Sequence, residues 1–215
     1  MKKTKLTIGS AACAVAVLVL GNSTIQAQNL LVDPGFESHG TAVGDWGTFN
    51  GAAFSTAQAR TGNYSMADPG PAGNYSGSFE TFASAPGLKY DLTGYGFIPT
   101  ALTGGDGQLQ ITFWSGLNGS GANLGTVATS PGNAQVSNLI NTSSPTGSWL
   151  FLDTGIAQAP AGTQSMQAFT LGAQPVGSAV YFDDLSLIQV PEPSVLALMG
   201  MGLGVPFYFL RRRNS

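Results

Sequence analysis

Between residues 28 and 190 the chain alternates short apolar runs with clusters of turn-forming residues. Leu109, Ile111 and Phe113 share one parity, and so do Tyr181, Asp183, Leu185 and Leu187. A period of two belongs to a strand with one face buried, and no long segment keeps the 3.6-residue period of an amphipathic helix. The pattern predicts strands at Asn29–Val32, Phe54–Ala59, Tyr64–Ala67, Ser78–Ala83, Lys89–Phe97, Gln108–Ser115, Leu124–Ala128, Ser148–Thr154, Ser165–Leu171 and Ala179–Ile188. Asp68-Pro69-Gly70, Ala85-Pro86-Gly87, Gly104-Gly105-Asp106-Gly107 and Ser130-Pro131-Gly132-Asn133 supply turn signals between them. Helix formers are scarce, so the expected fold class is all-β, a sandwich or a barrel. About 160 residues suit a single domain whose core needs no covalent staples.

Both ends depart from this pattern. Lys2, Lys3 and Lys5 precede a mostly apolar run from Leu6 to Leu20 and a small, polar stretch ending at Ala27. That layout predicts a secretory signal peptide over 1–27, with the Sec translocon and signal peptidase as partners. Cys13 is the only cysteine and lies too early in the apolar run for a lipoprotein cysteine. The exported chain therefore carries no disulfide and no thiol chemistry. At the other end, Val190-Pro191-Glu192-Pro193-Ser194 leads into the uncharged run Val195–Leu210 and then Arg211-Arg212-Arg213. The prolines keep the spacer extended. As a helix the run would reach roughly 24 Å, a little under a hydrocarbon core of about 30 Å, and the arginines would stay on the cytoplasmic side.

This tail, residues 190–215, resembles the PEP-CTERM sorting signal of Gram-negative bacteria, with Pro191, Glu192 and Pro193 as the sorting motif. The resemblance implies recognition by an exosortase-type membrane peptidase and cleavage near Pro-Glu-Pro. It also implies transient anchorage in the inner membrane by an apolar helix and delivery to the cell envelope or extracellular matrix. Proteins with this signal usually accompany exopolysaccharide production. An ordinary C-terminal anchor is the alternative.

Without its ends the chain changes character. Arg60 and Lys89 are the two basic residues left between 28 and 190, against ten acidic ones, a net charge of −8. A domain this acidic has no electrostatic footprint for nucleic acid. It suits divalent cations, neutral sugars or solubility.

Asn29-Leu30-Leu31-Val32-Asp33-Pro34-Gly35-Phe36-Glu37 opens the domain, Trp46 and Ala59-Arg60-Thr61-Gly62-Asn63-Tyr64-Ser65 follow, and Val180-Tyr181-Phe182-Asp183-Asp184-Leu185-Ser186-Leu187 closes it. This order resembles carbohydrate-binding modules with a galactose-binding-like jelly roll, which implies a jelly-roll β-sandwich over residues 28–189. Asp33 departs from the family's commoner Asn, and Arg60-Thr61-Gly62 from its His-containing turn. The first and last strands of a jelly roll lie close together, which would bring Asp33, Glu37 and Asp183 within reach of one another. The resemblance implies a structural Ca²⁺ there, since hard oxygen ligands suit that ion. By parity with Leu185 and Leu187, Asp183 is expected to point inward, where an uncompensated carboxylate is costly. The alternative is that these acids cap turns or accept backbone N–H groups.

Catalytic signals are weak. His39 is the single histidine, in a Ser-His-Gly turn; no G-x-S-x-G or H-E-x-x-H occurs; and Gly104–Gly107 is too short for a phosphate loop. Glu37 and Glu80 are the glutamates available as a glycosidase pair. The expectation is a protein that is not an enzyme. Aromatic residues are the better lead, because flat rings stack on the apolar faces of sugars. Trp114, Trp149, Tyr95 and Tyr75 are the candidate ligand-binding residues, Trp114 because its parity opposes Leu109, Ile111 and Phe113; Trp46 is expected in the core. The reading is an exported envelope or matrix protein able to bind polysaccharide, set against a structural, adhesive or ice-binding matrix protein and a matrix glycoside hydrolase.

Overall fold

The computed structural model describes residues 28–38, 46–70, 74–129, 140–176 and 178–191. In chain order the strands are β1 (Gly47–Phe49), β2 (Ala53–Ser55), β3 (Ser65–Asp68), β4 (Tyr75–Ala83), β5 (Lys89–Phe97), β6 (Gly104–Trp114), β7 (Asn123–Ala128), β8 (Leu150–Gln158), β9 (Ser165–Val176) and β10 (Val180–Val190). They form two five-stranded antiparallel sheets: a front sheet ordered β1-β4-β9-β6-β7 and a back sheet ordered β2-β3-β10-β5-β8. A single 3₁₀ turn, Leu117–Gly119, joins β6 to β7. Among the described residues no helix is long and apolar enough to cross a membrane. The apolar run 195–210, the signal segment and His39 lie outside the described residues.

The alternation along each strand sorts side chains between the sheets and away from them. Leu109, Ile111 and Phe113 of β6 and Met166 and Ala168 of β9 turn inward, all at most 1% exposed. They meet Leu92, Leu152, Phe182 and Leu187 of the back sheet in one core. Removing such side chains from water supplies the main stabilisation, roughly 1.5–3 kcal/mol for each large one. Trp46 belongs to this core as expected; its ring packs 5.0 Å from Phe36 and its Nε1 donates to Asp33 O at 3.0 Å.

The sequence pattern and the fold differ at several places, among them the expected strand Phe54–Ala59, where only Ala53–Ser55 pairs. The segment expected as a strand at Asn29–Val32 makes only a bridge, Asn29 to Ile188. Its side chain does the remaining joining: Leu187 N donates to Asn29 Oδ1 at 2.9 Å and Asn29 Nδ2 donates to Leu185 O at 2.9 Å. The expected turn Gly104–Gly107 is instead the start of β6, and its glycines absorb a bulge, with Gly105 at φ 73°. The strand β1, three residues long, is too short to register as a pattern.

Candidate functional site

On the front sheet the outward side chains form rows that run across the strands. Phe79 of β4, Phe169 of β9, Gln110 of β6 and Ala128 of β7 stand in register. The next row holds Phe49, Gly77, Leu171 and Gln108. Tyr75 opens the row after that, and Asp106 lies at its β6 end. The rings of Phe49 and Phe79 lie 6.5 Å apart, and those of Phe79 and Phe169 5.7 Å apart. Glycines make room for them. A Cβ at Gly47 would come within 2.5 Å of Phe79 Cζ, and one at Gly77 within 2.9 Å of Phe49 Cζ and 2.7 Å of Leu171 Cδ2.

The result is a cleft of about 410 Å³ lined by Phe49, Tyr75, Gln108, Gln110, Phe169 and Leu171. Its lining is apolar on β1, β4 and β9 and amide on β6. Gln110 Nε2 donates to Thr112 Oγ1 at 2.9 Å, which fixes the amide on the sheet and leaves its carbonyl available. Beyond the next row, the turn Leu117–Gly119 folds over β4 and β9. There Gly119 N donates to Ser165 Oγ at 2.9 Å, and Gln167, held to Thr81 Oγ1 at 3.1 Å, is buried beneath it. This turn walls off one end of the face. Asp106 has Oδ1 buried without a partner, and burial raises its carboxyl above the usual range.

Of the candidate ligand residues, Tyr75 lines the cleft and is 51% exposed. Trp114 faces out from the front sheet as its parity indicates, but stands at the walled end, in register with Ser165 and Asn123, with its Nε1 buried and unpartnered. Tyr95 and Trp149 are on the other side of the molecule. The Arg60 guanidinium covers the Tyr95 ring at 3.5 Å, and Phe151 packs against it at 5.4 Å. Trp149 packs 5.1 Å from Phe97. Their rings are occupied by protein.

The acidic corner assembles at the opening and closing segments. A Cβ at Gly35 would lie 3.8 Å from Asp183 Oδ1, 3.9 Å from Asp184 Oδ1 and 3.9 Å from Glu37 Cγ. Asp183 does not point inward. Its register partner is Tyr95 and that of Phe182 is Gly96, so Asp183 lies on the outer face; a bulge at Asp184, φ 48°, resets the parity before Leu185. The loop at Arg60 covers it: Asp183 Oδ2 accepts from Arg60 N at 2.7 Å and Thr61 N at 3.2 Å, and Oδ1 from Asp184 N at 2.7 Å. Burial raises the Asp183 carboxyl to about 6 despite these donors. Glu37 Oε1 accepts from Asn63 N and Tyr64 N, both at 2.8 Å, and Asp33 accepts from Glu37 N at 3.0 Å and Ser38 N at 2.9 Å. Arg60 pairs with Asp184 at 2.5 Å. Backbone amides and a guanidinium thus occupy these carboxylates. Among the described residues no three acidic, histidine or cysteine side chains converge as a metal site. The glutamates are engaged structurally too: Glu80 Oε2 accepts from Val32 N at 3.1 Å.

Residues 189–213 match the PEP-CTERM protein-sorting motif. No curated protein matches the chain. Among solved structures, "Family 16 Carbohydrate Binding Module-2" aligns with a TM-score of 0.52 at 15% identity, covering 74% of this chain and 99% of that one. The CBM22-1 xylan-binding domain of Paenibacillus barcinonensis Xyn10C aligns with a TM-score of 0.53 at 18% identity, covering 77% and 97%. The arabinose-bound α-L-arabinofuranosidase MgGH51 aligns at 0.53 and 16% identity over 76% of this chain but 26% of its own. At such identities the likeness is one of fold. The class is therefore defined: an all-β domain with the jelly-roll sandwich of carbohydrate-binding modules. This chain is an exported protein that joins that sandwich to a C-terminal PEP-CTERM sorting signal.

Proposed function

We propose that the protein is a non-catalytic polysaccharide-binding component of the envelope or extracellular matrix of a Gram-negative bacterium, with the front-sheet cleft as its ligand site. The observation that carries this reading is the cleft's composition: three aromatic rings beside two glutamine side chains on one sheet face. Rings bury the apolar CH faces of sugars, and amides both donate to and accept from hydroxyls. The solved structures it resembles include carbohydrate-binding modules, one of them described as xylan-binding. Hydrolysis is disfavoured, because Glu37 and Glu80 both hold backbone amides. In this reading signal peptidase removes residues 1–27, the sandwich spans 28–189, and an exosortase-type peptidase cuts near Pro191-Glu192-Pro193.

Affinity electrophoresis of the protein recovered from the medium, its mass verified for both cleavages, tests the proposal. Retardation in a gel containing polysaccharide should fall at least tenfold in Phe169→Ala and be unchanged in Phe151→Ala, on the back sheet. Equal retardation of all three proteins would exclude the cleft.

A further inference from the structure

We infer that the protein cuts its own backbone between Asp68 and Pro69, with the Asp68 carboxyl as the nucleophile. Asp-Pro-Gly occurs twice in the domain, at 33–35 and at 68–70. In such a pair a carboxyl oxygen can close a five-membered ring on the aspartate's own carbonyl carbon. The proline nitrogen, part of a tertiary amide without an N–H, departs as a basic secondary amine. Attack within one residue needs no second reactant brought into place. What separates the two pairs is the use the fold makes of each carboxyl.

Both aspartates are buried, Asp33 at 5% exposed and Asp68 at 0%. Asp33 is held fast: Oδ1 accepts from Glu37 N at 3.0 Å, Oδ2 from Ser38 N at 2.9 Å, and Pro34 O from Leu185 N at 2.8 Å. Asp68, the last residue of β3, has both carboxyl oxygens buried without a partner. Around it stand Val180 of β10, its register partner, Thr170 and Gly172 of β9 and Ser76 of β4, none of them charged. With no cation or amide to stabilise a carboxylate there, burial keeps the proton on Asp68 up to about pH 7. Gly172 lets the front sheet close over this residue: a Cβ there would lie 2.7 Å from Asp68 O and 3.1 Å from Asp68 Cβ. Pro69 is exposed, so the nitrogen that leaves is on the wet side of the bond.

The step balances without a further reagent. Asp68 Oδ bonds to the Asp68 carbonyl carbon, the carboxyl proton passes to Pro69 N, and the C–N bond breaks. The products are a cyclic anhydride and an N-terminal Pro69. One water opens the anhydride and leaves Asp68 as a C-terminal residue with two carboxyl groups. The nicked domain stays whole, because the N-terminal piece keeps β1 paired with β4 and β3 paired with β10.

The test follows the exported protein by denaturing electrophoresis and mass, folded and in concentrated urea, at pH 5 and pH 9. In the folded chain at pH 5, pieces ending at Asp68 and beginning at Pro69 should form at least tenfold faster than in urea, at a rate independent of protein concentration. At pH 9 they should form at least tenfold more slowly. Cutting at Asp33–Pro34 should be at least tenfold slower than at Asp68–Pro69 in the folded chain and equal to it in urea. Pro69→Ala, altered on the exposed side of the bond, should remain folded and intact. A folded chain cut no faster than the chain in urea, a rate that rises with protein concentration, or cutting of Pro69→Ala at the original rate would overturn the inference.

Discussion

Asp68 ends β3 on the same face as Met66 and so enters the interior, where both of its carboxylate oxygens are buried without a hydrogen-bond partner. Gly172 of the front sheet packs against it: a Cβ there would lie 3.1 Å from Asp68 Cβ. The nearby Thr170 hydroxyl is already bonded to Ser78 Oγ at 2.7 Å and offsets the burial only in part. Burial pushes Asp68 from 3.8 up to about 7. Glu80 and Asp106 are raised by burial as well, and Asp91 reaches about 6 through burial and the adjacent Asp153 carboxylate. Each of these groups keeps its proton in the folded chain at pH values where the unfolded chain has lost it. The folded state thus binds more protons between about pH 4 and pH 7, and stability falls as pH rises through that window. For Asp68 alone the loss is on the order of 4 kcal/mol at most. Thermal unfolding should give a higher midpoint at pH 5 than at pH 8, and Asp68→Asn should flatten that difference. An Asp68→Asn protein with an unchanged pH slope would show that the carboxyl is solvated.

At the scale of the element, the front sheet depends on glycines that let rings lie flat. Gly77 also faces Thr170 O, which a Cβ would approach to 2.4 Å. Gly77→Ala must shift β4 from β9 or lift Phe49, at a cost of about 1–3 kcal/mol as in other overpacked sites. Chemical denaturation should report that loss, together with weaker glycan retardation; a fully stable variant with normal binding would contradict the packing described. Much of this sheet is legible in the sequence. The parity that turns Leu109, Ile111 and Phe113 inward turns Gln108, Gln110 and Trp114 outward, so the amide half of the cleft was available beside the tryptophan. Phe169 could be read in the same way between Ala168 and Thr170. Alternation does not reveal which outward rings stay free. Tyr95 differs from Tyr75 by what folds over it, the Arg60 loop, and Trp114 by its place at the other end of the face, with its Nε1 buried. The bulge at Asp184 was equally hidden, because one inserted residue resets parity without leaving a compositional mark. The acidic residues read as candidate cation ligands accept from backbone amides, contacts that depend on loop geometry and not on residue type.

At the scale of the whole molecule, the ends of the domain and its cleft lie apart. Asn29 bridges Ile188, so the chain enters and leaves side by side, and Val190 pairs with Lys89 at the start of β5. The short connection from Ala83 to Lys89 puts that exit at the Trp114 end of the front sheet, where Ala83, Ser165 and Trp114 stand in register. The Tyr75 and Leu171 rows lie at the far end. A domain held through its C-terminal segment would present the cleft away from its attachment, towards polymer outside the cell. Resonance mapping tests the cleft assignment most directly. On titrating the isotopically labelled exported protein with soluble xylan or β-1,4-galactan fragments, amide shifts should concentrate at Gln108, Gln110, Phe169 and Leu171 and spare Tyr95, Phe151 and Trp149. Shifts confined to the back sheet, around the Arg60–Tyr95 stack, would contradict it.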